Sequence, residues 1–171
     1  MIRVPTVLTL VAVGFALAAH QVAAQSLTIL PGRSIGPIEL GMPLDRARGI
    51  METWGTVEEV DTPTLHGFCN PDRGVGVCAF DRVARMGLDS PGAVALVLTD
   101  DSRFTTDAGG HKVGEPLLGF LRTYGLYSGG QGSEVRWEAR GLSVDVGPGE
   151  RGIAVRLISV FAPRPVSAQA P

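Results

Sequence analysis

Lysine is almost missing from this sequence: Lys112 is the only one, and the other residues counted as positively charged are arginines. Lysine and arginine together number 15, against 17 aspartates and glutamates, so the formal net charge is −2. A weakly negative chain lacks the basic field that general nucleic-acid binding requires. We therefore expect no nucleic acid among its partners.

Long apolar runs are also missing once the N-terminal segment is set aside. The longest later run, Ala93 to Leu98, has the length of a buried strand and not of a membrane span. We therefore predict no membrane span in the mature protein.

The N-terminal segment has the three parts of a secretory signal peptide. Arg3 gives a short positive start, Val7 to Ala19 is apolar, and Val22-Ala23-Ala24 supplies the small residues that precede cleavage. We predict removal of residues 1–24, and a retained N-terminal anchor is the alternative. No cysteine directly follows the apolar segment at the cleavage site, so a lipid anchor of the lipoprotein type is excluded. The remaining 147 residues suit one domain, or two small repeats that share a core.

Cysteine is scarce, and the two that occur, Cys69 and Cys78, lie in the exported part of the chain. Export leads to an oxidising compartment, and the residues between the cysteines favour a turn. We therefore predict a disulfide that ties a hairpin. The sequence has no C-x-x-C, and His66 and His111 have no helical partner at i+4, so we predict neither a metal site nor a cofactor.

Catalytic motifs are equally scarce. Gly32 to Gly36 matches G-x-S-x-G with Ser34 at the centre, but a nucleophile elbow needs a helix after the serine, and Pro37 and a short apolar stretch follow instead. We predict a Gly-rich turn there and no catalytic residue. His66 and His111, with Asp61 and Asp107 nearby in sequence, are expected at loops or strand ends.

An internal repeat is what the sequence does contain. Gly41-Met42-Pro43-Leu44 recurs 73 residues later as Gly114-Glu115-Pro116-Leu117. An apolar stripe with helical spacing follows each copy, which predicts helices over 44–54 and 117–124. Each proline falls at a helix start, where its missing N–H costs nothing.

Strand patterns follow each predicted helix, so the expected class is α+β: two related helix-plus-meander units with both helices on one face of an antiparallel sheet. The units span residues 25–104 and 105–161, and the proline-rich tail, 162–171, is expected to be disordered. The predicted strands are Leu65 to Cys69, Val75 to Phe80, Ala93 to Thr99, Glu134 to Arg140, Leu142 to Val146 and Ile153 to Phe161, with a turn at Gly147-Pro148-Gly149.

The Gly-centred motifs carry a family resemblance. Pro31 to Met42 resembles the opening of many small exported bacterial proteins, and Thr105 to Gly125 resembles their second half. The sequence is similar to the tandem repeat of the β-lactamase-inhibitory protein family and, for one unit, to small lipoproteins of outer-membrane assembly. This resemblance implies a fold and a non-enzymatic, protein-binding role, and it carries over no catalytic residue.

Charged residues alternate with apolar ones along the strands of the second unit, which predicts a mixed-charge sheet face away from the helices. Arginines on rigid strands can pair with carboxylates of an acidic partner. An ordinary solvated face with weak ion pairs is the alternative. The candidate partner-binding residues are Arg136, Glu138, Arg140, Asp145 and Arg156.

The predicted function is therefore that of an exported, periplasmic or extracellular, non-enzymatic protein that binds another envelope or secreted protein. An inhibitor of a secreted hydrolase is one alternative. A small secreted hydrolase that uses Ser34 is the other.

Overall fold

The computed structural model describes residues 27–71, 76–150 and 152–165. The predicted signal peptide, residues 1–24, lies outside these ranges. Within them, no helix is long and apolar enough to cross a membrane.

Two helices and a larger set of short strands make up the described chain, which confirms the α+β class. The helices are α1 (Leu44–Glu52) and α2 (Leu117–Tyr124). In chain order the strands are β1 (Thr28–Leu30), β2 (Ser34–Ile35), β3 (Ile38–Glu39), β4 (Glu58–Thr62), β5 (Leu65–Asn70), β6 (Val77–Val83), β7 (Leu88–Asp89), β8 (Leu96–Thr99), β9 (Thr105–Thr106), β10 (Glu134–Trp137), β11 (Leu142–Gly149) and β12 (Gly152–Phe161).

The strands form two sheets. The larger has the order β10-β11-β12-β8-β6-β5-β4, every neighbouring pair is antiparallel, and β7 pairs with the end of β6. The smaller has the order β3-β2-β1-β9, in which β1 and β9 are parallel. Because β8 pairs with β12, the two stretches predicted as separate units share one continuous sheet.

Both helices begin where the sequence predicts, directly after Pro43 and Pro116. The first helix ends at Glu52, two residues before the predicted end. Its last turn closes there because the Thr53 hydroxyl and the Thr53 N–H both donate to the carbonyl of Ile50.

The helices lie on one face of the larger sheet and share one core. Their buried side chains are Leu44, Ala47 and Met51 from α1 and Phe120 and Tyr124 from α2. All five belong to one cluster, together with sheet residues that alternate onto the same face. We call this the helix face, and its sheet residues include Phe68, Val77, Ala79, Val97, Trp137, Leu142, Val144 and Val160.

The opposite face of the sheet, which we call the outer face, carries a smaller second core at one end. Phe80, Leu96 and Phe161 lie side by side on neighbouring strands and are almost fully buried. Met86, from the 3₁₀ turn after β6, and Leu88, from β7, belong to the same cluster and cover them. No described residues cover the other end of the outer face in this way.

The predicted disulfide is confirmed. Cys69 on β5 and Cys78 on β6 are directly opposite each other, with 4.1 Å between their Cα atoms. That short separation is typical of the antiparallel position that lacks hydrogen bonds, where side chains lie closest. The hairpin prediction is therefore correct, although β6 starts at Val77 and the predicted start at Val75 lies outside the described residues.

Two strand boundaries in the second half were predicted wrongly. The strand expected through Arg140 ends at Trp137, and residues Glu138–Arg140 form a 3₁₀ turn that Gly141 ends in the left-handed conformation. Gly147-Pro148-Gly149 is not a turn but the end of β11. Proline is tolerated there because β10 pairs only with Leu142 to Asp145, which leaves this part of β11 with a free edge.

The predicted C-terminal tail starts with four described residues, Ala162 to Pro165. The N–H of Arg164 donates to the carbonyl of Glu138 at 2.9 Å, so this part of the tail lies against the 3₁₀ turn that follows β10. Residues 166–171 lie outside the described ranges.

Candidate functional site

A row of cross-strand neighbours runs across the middle of the outer face. The pairing of β4, β5, β6, β8, β12, β11 and β10 sets this row, and its character changes along its length. It begins with an acid, continues with sulfur and leucine, and ends with two serines and an arginine. The row is Glu58, Cys69, Cys78, Leu98, Ser159, Ser143 and Arg136.

The sulfur-and-leucine part of this row forms the floor of a hollow with a volume of about 670 Å³. The disulfide, Leu98 and Leu157 form the floor, and each of these side chains is half-buried. We call this hollow the disulfide concavity. Such a volume falls in the range of ligand-sized clefts, and an apolar floor with few polar groups is typical of binding sites. Asn70, Pro71, Gly76, Asp100, Asp101 and Ser102 also line it.

The surroundings of the disulfide concavity are acidic. Asp100 is exposed at its edge, Glu58 lies opposite Cys69, and Asp145 lies opposite Leu157. Asp101 is already neutralised, because Arg103 binds it at 2.7 Å. Among the described residues, the charges left for an incoming group are therefore mainly negative.

Arg136, the central predicted partner-binding residue, is held inside the protein. Its guanidinium binds Glu134 at 2.6 Å and Glu138 at 3.0 Å, and it lies 6.0 Å from the ring centre of Phe161. Only 17% of its side chain is exposed. Burial alone would lower the pKa of Arg136, but the two carboxylates outweigh burial and raise it, so the arginine stays charged.

The other predicted partner-binding residues do not form one surface with Arg136. Arg140 lies over the ring of Tyr124 at 5.6 Å, on the helix side, because the 3₁₀ turn ends the strand before it. Arg156 is exposed and donates to the carbonyl of Pro148. Asp145 accepts a hydrogen bond from the Ser133 hydroxyl at 3.2 Å. The structure thus brings only Arg136 and Glu138 together.

Ser34 lies in β2, where its backbone pairs with Leu30 and Glu39, and only 3% of the residue is exposed. Neither histidine of the described chain contacts it. The imidazole of His66 instead binds Asp81 at 2.7 Å.

Asp81 is a buried carboxylate on β6 that joins β5 and the turn before β8. It binds His66 through Oδ1 and accepts the Gly92 N–H through Oδ2 at 2.8 Å. Burial alone would raise the pKa of Asp81, but the hydrogen bonds from Gly92 and His66, with the charges of His66 and Arg82, lower it below the ordinary value. The Asp81 carboxylate therefore has a structural role, because it binds the turn before β8 to the sheet.

Sequence reasoning missed a polar cluster around His111. The imidazole lies 2.7 Å from Thr123 Oγ1 through Nε2 and 3.2 Å from Glu115 Oε2 through Nδ1. Thr123 lies on α2 and the other two lie before it, so no local helical spacing joins the three. The i, i+4 relation of His111 and Glu115 was the only available signal.

The described residues contain no group of three or more histidines, cysteines, aspartates and glutamates placed to hold a metal ion. The chain matches no protein-family model, and no curated protein or solved structure is significantly similar to it. The family resemblance given above therefore stays a prediction, and function has to be argued from the site.

Proposed function

We propose that this chain is an exported protein that binds another protein through the disulfide concavity. The observation that carries the proposal is the half-buried apolar floor of Cys69, Cys78, Leu98 and Leu157, which no helix or turn among the described residues covers. Elsewhere on the outer face the second core buries Phe80, Leu96 and Phe161, and the Arg136 ion pairs occupy the β10 end. An apolar centre with a polar rim is the usual anatomy of a protein interface.

The charge around the floor indicates the kind of partner. Asp100, Asp145 and Glu58 surround it, whereas Arg136, Arg140 and Arg156 are occupied by internal contacts. We therefore expect a partner segment with an apolar tip and basic flanks, in place of the acidic partner that the sequence predicts.

Leu157→Glu tests this proposal. A charge at the floor should abolish capture of a partner by the immobilised protein from the envelope fraction or the medium of its own cells. Leu118→Glu is the matched control, since Leu118 is 54% exposed on α2, far from the outer face in the layer order. Undiminished capture by Leu157→Glu, or equal loss in both variants, would contradict the proposal.

Export itself is supported by two independent features. The N-terminal residues have a signal-peptide pattern, and the Cys69–Cys78 disulfide fits an oxidising compartment. Mass measurement of the protein secreted by its own cells tests the cleavage after Ala24.

We further propose that the two halves are related copies. In each half, the segment before the helix makes the same two backbone hydrogen bonds to one valine. Gly41 and Met42 bond Val94, just before β8, and Gly114 and Glu115 bond Val155 in β12. In each half a 3₁₀ turn, Ala84–Met86 or Glu138–Arg140, ends with a left-handed glycine followed by leucine. Superposing the two halves tests this relation.

Inhibition of a secreted hydrolase is the second candidate, and one loop favours it. Leu126 is 90% exposed and Tyr127 is 56% exposed in the segment after α2. A projecting apolar and aromatic pair of this kind suits insertion into an active-site cleft. Replacing both residues with serine should then relieve inhibition of the target enzyme while Leu157→Glu does not.

A further inference from the structure

His111, Thr123 and Glu115 form a hydroxyl–imidazole–carboxylate relay, which the proposed protein binding does not use. Both distances, 2.7 Å and 3.2 Å, are within the reach expected between a nucleophile, its base and the group that orients the base. The ring of Phe120 lies against the imidazole with 4.9 Å between centres, which holds the ring plane.

The two hydrogen bonds determine which ring nitrogen of His111 carries the proton. The carboxylate of Glu115 can only accept, so a neutral imidazole carries its proton on Nδ1. Its Nε2 is then an acceptor, and the Thr123 hydroxyl donates to it. This is the arrangement in which a base is ready to take the proton of a hydroxyl nucleophile.

The fold does not require polar residues at these three positions. The residues 73 positions earlier, relative to the same G-x-P-L motif, are Ile38, Met42 and Ile50. Ile38 is fully buried, and Met42 and Ile50 pack against the core. Since apolar side chains serve the first half, packing alone does not explain the relay in the second half.

A glycine loop lies directly against the relay. A Cβ on Gly109 would come within 2.9 Å of Thr123 Oγ1 and 2.5 Å of His111 Nε2, so only glycine allows this approach. In the described part of the chain, the N–H groups of Gly109 and Gly110 have no hydrogen-bond acceptor. Backbone N–H groups without an acceptor can stabilise an oxyanion, and the close approach of Gly109 brings its backbone to the relay.

We propose that Thr123 is an activated nucleophile that accepts the acyl group of a small, reactive carboxylic ester. Thr123 Oγ1 adds to the ester carbonyl while its proton moves to His111 Nε2. The alcohol leaves with that proton, and an acyl-threonine remains. A water that the same imidazole deprotonates then cleaves the new ester and releases the acid. His111 is the base, Glu115 is a positioning residue, and the close approach of Gly109 limits the acyl group to a small size.

The test uses p-nitrophenyl acetate and the unaltered protein, with peptide mapping of the acetyl group during the reaction. The acetyl group is expected on Thr123. The acylation rate should fall about 100-fold or more in Thr123→Val and in His111→Gln, and Thr123→Ser should keep it. Lys112→Gln is the matched control for acylation of a neighbouring amine, and it should react like the parent.

Glu115 needs a readout that a purely structural role would not change. Glu115→Gln should slow acylation and Glu115→Asp should recover part of the rate, while both variants unfold at the same temperature. An acetyl group found on Lys112 or the N-terminus, or a Thr123→Val protein that reacts at the parent rate, would overturn the proposal. The mapping on the unaltered protein decides the question even if a variant does not fold.

Discussion

Removal of the Arg136 side chain should destabilise the protein strongly, because Arg136 neutralises two partly buried carboxylates. The exposed fractions are 17% for the Arg136 side chain, 8% for Glu134 and 20% for Glu138. Glu138 Oε2 already lacks a hydrogen-bond partner among the described residues. Breaking a buried ion pair from one side costs about 3–5 kcal/mol. We expect Arg136→Ala to lower the free energy of unfolding by about that amount, and the melting temperature by about 6–20 °C for a chain of this size.

Urea unfolding followed by the fluorescence of the buried Trp137 measures this loss. Arg156→Ala is the matched control, since Arg156 is exposed and should change stability by less than about 0.5 kcal/mol. Replacing all three charged residues together, as Glu134→Gln, Arg136→Met and Glu138→Gln, should restore most of the stability. If the free energy of unfolding of Arg136→Ala lies within about 0.5 kcal/mol of the parent's, the ion pairs do not stabilise this end of the sheet.

Three further predictions concern stability. Reduction of the Cys69–Cys78 disulfide opens a ring of about ten residues and should cost about 2.7 kcal/mol in urea unfolding, while two free thiols in the unreduced, unfolded protein would contradict the bond. Because the pKa of Asp81 is lowered in the folded state, its carboxylate stabilises the fold fully above the ordinary aspartate pKa, and this stabilisation is lost as the pH falls through the lowered value. Asp81→Asn should therefore weaken the fall in the free energy of unfolding over this acidic range. An unchanged pH dependence would refute the assignment. Gly141→Ala should cost clearly more than Gly87→Ala, because both have φ near +60° but only at Gly141 would a Cβ overlap the Phe161 carbonyl; equal losses of melting temperature would show that crowding is unimportant.

Short sequence patterns correctly predicted those elements that depend on residues close together in the chain. The helix starts follow from Pro43 and Pro116, and the disulfide hairpin follows from two cysteines and a turn-rich segment between them. The strand through Arg140 was predicted wrongly, because alternation of apolar residues continues through a 3₁₀ turn that Gly141 ends. Period-two patterns do not distinguish these cases over three residues.

Long-range pairing accounts for what could not be predicted. The smaller sheet consists of strands of two or three residues, and β1 pairs in parallel with β9, 77 residues later. Neither strand has a pattern of its own. The place of Pro148 inside β11 depends on the shortness of β10, which only the sheet order reveals.

The candidate sites show the same division. Alternation correctly placed Arg136 on the outer face, but its pairing with Glu134 and Glu138 depends on side-chain geometry. The His111 relay joins a loop to α2 across twelve residues, and the i, i+4 relation of His111 and Glu115 marks only part of it in the sequence. A site whose residues come from different secondary-structure elements therefore cannot be predicted from single segments of the sequence.

Site-specific photocrosslinking in the cells that make this protein tests the central claim most directly. A photoreactive residue is placed at Leu157 or Leu98, on the floor of the disulfide concavity, or at Leu118 or Ile153, which are exposed elsewhere. The account predicts one protein adduct of constant mass from positions 157 and 98 and none from positions 118 and 153. The same adduct from all four positions, or an adduct from positions 118 and 153 alone, would contradict it.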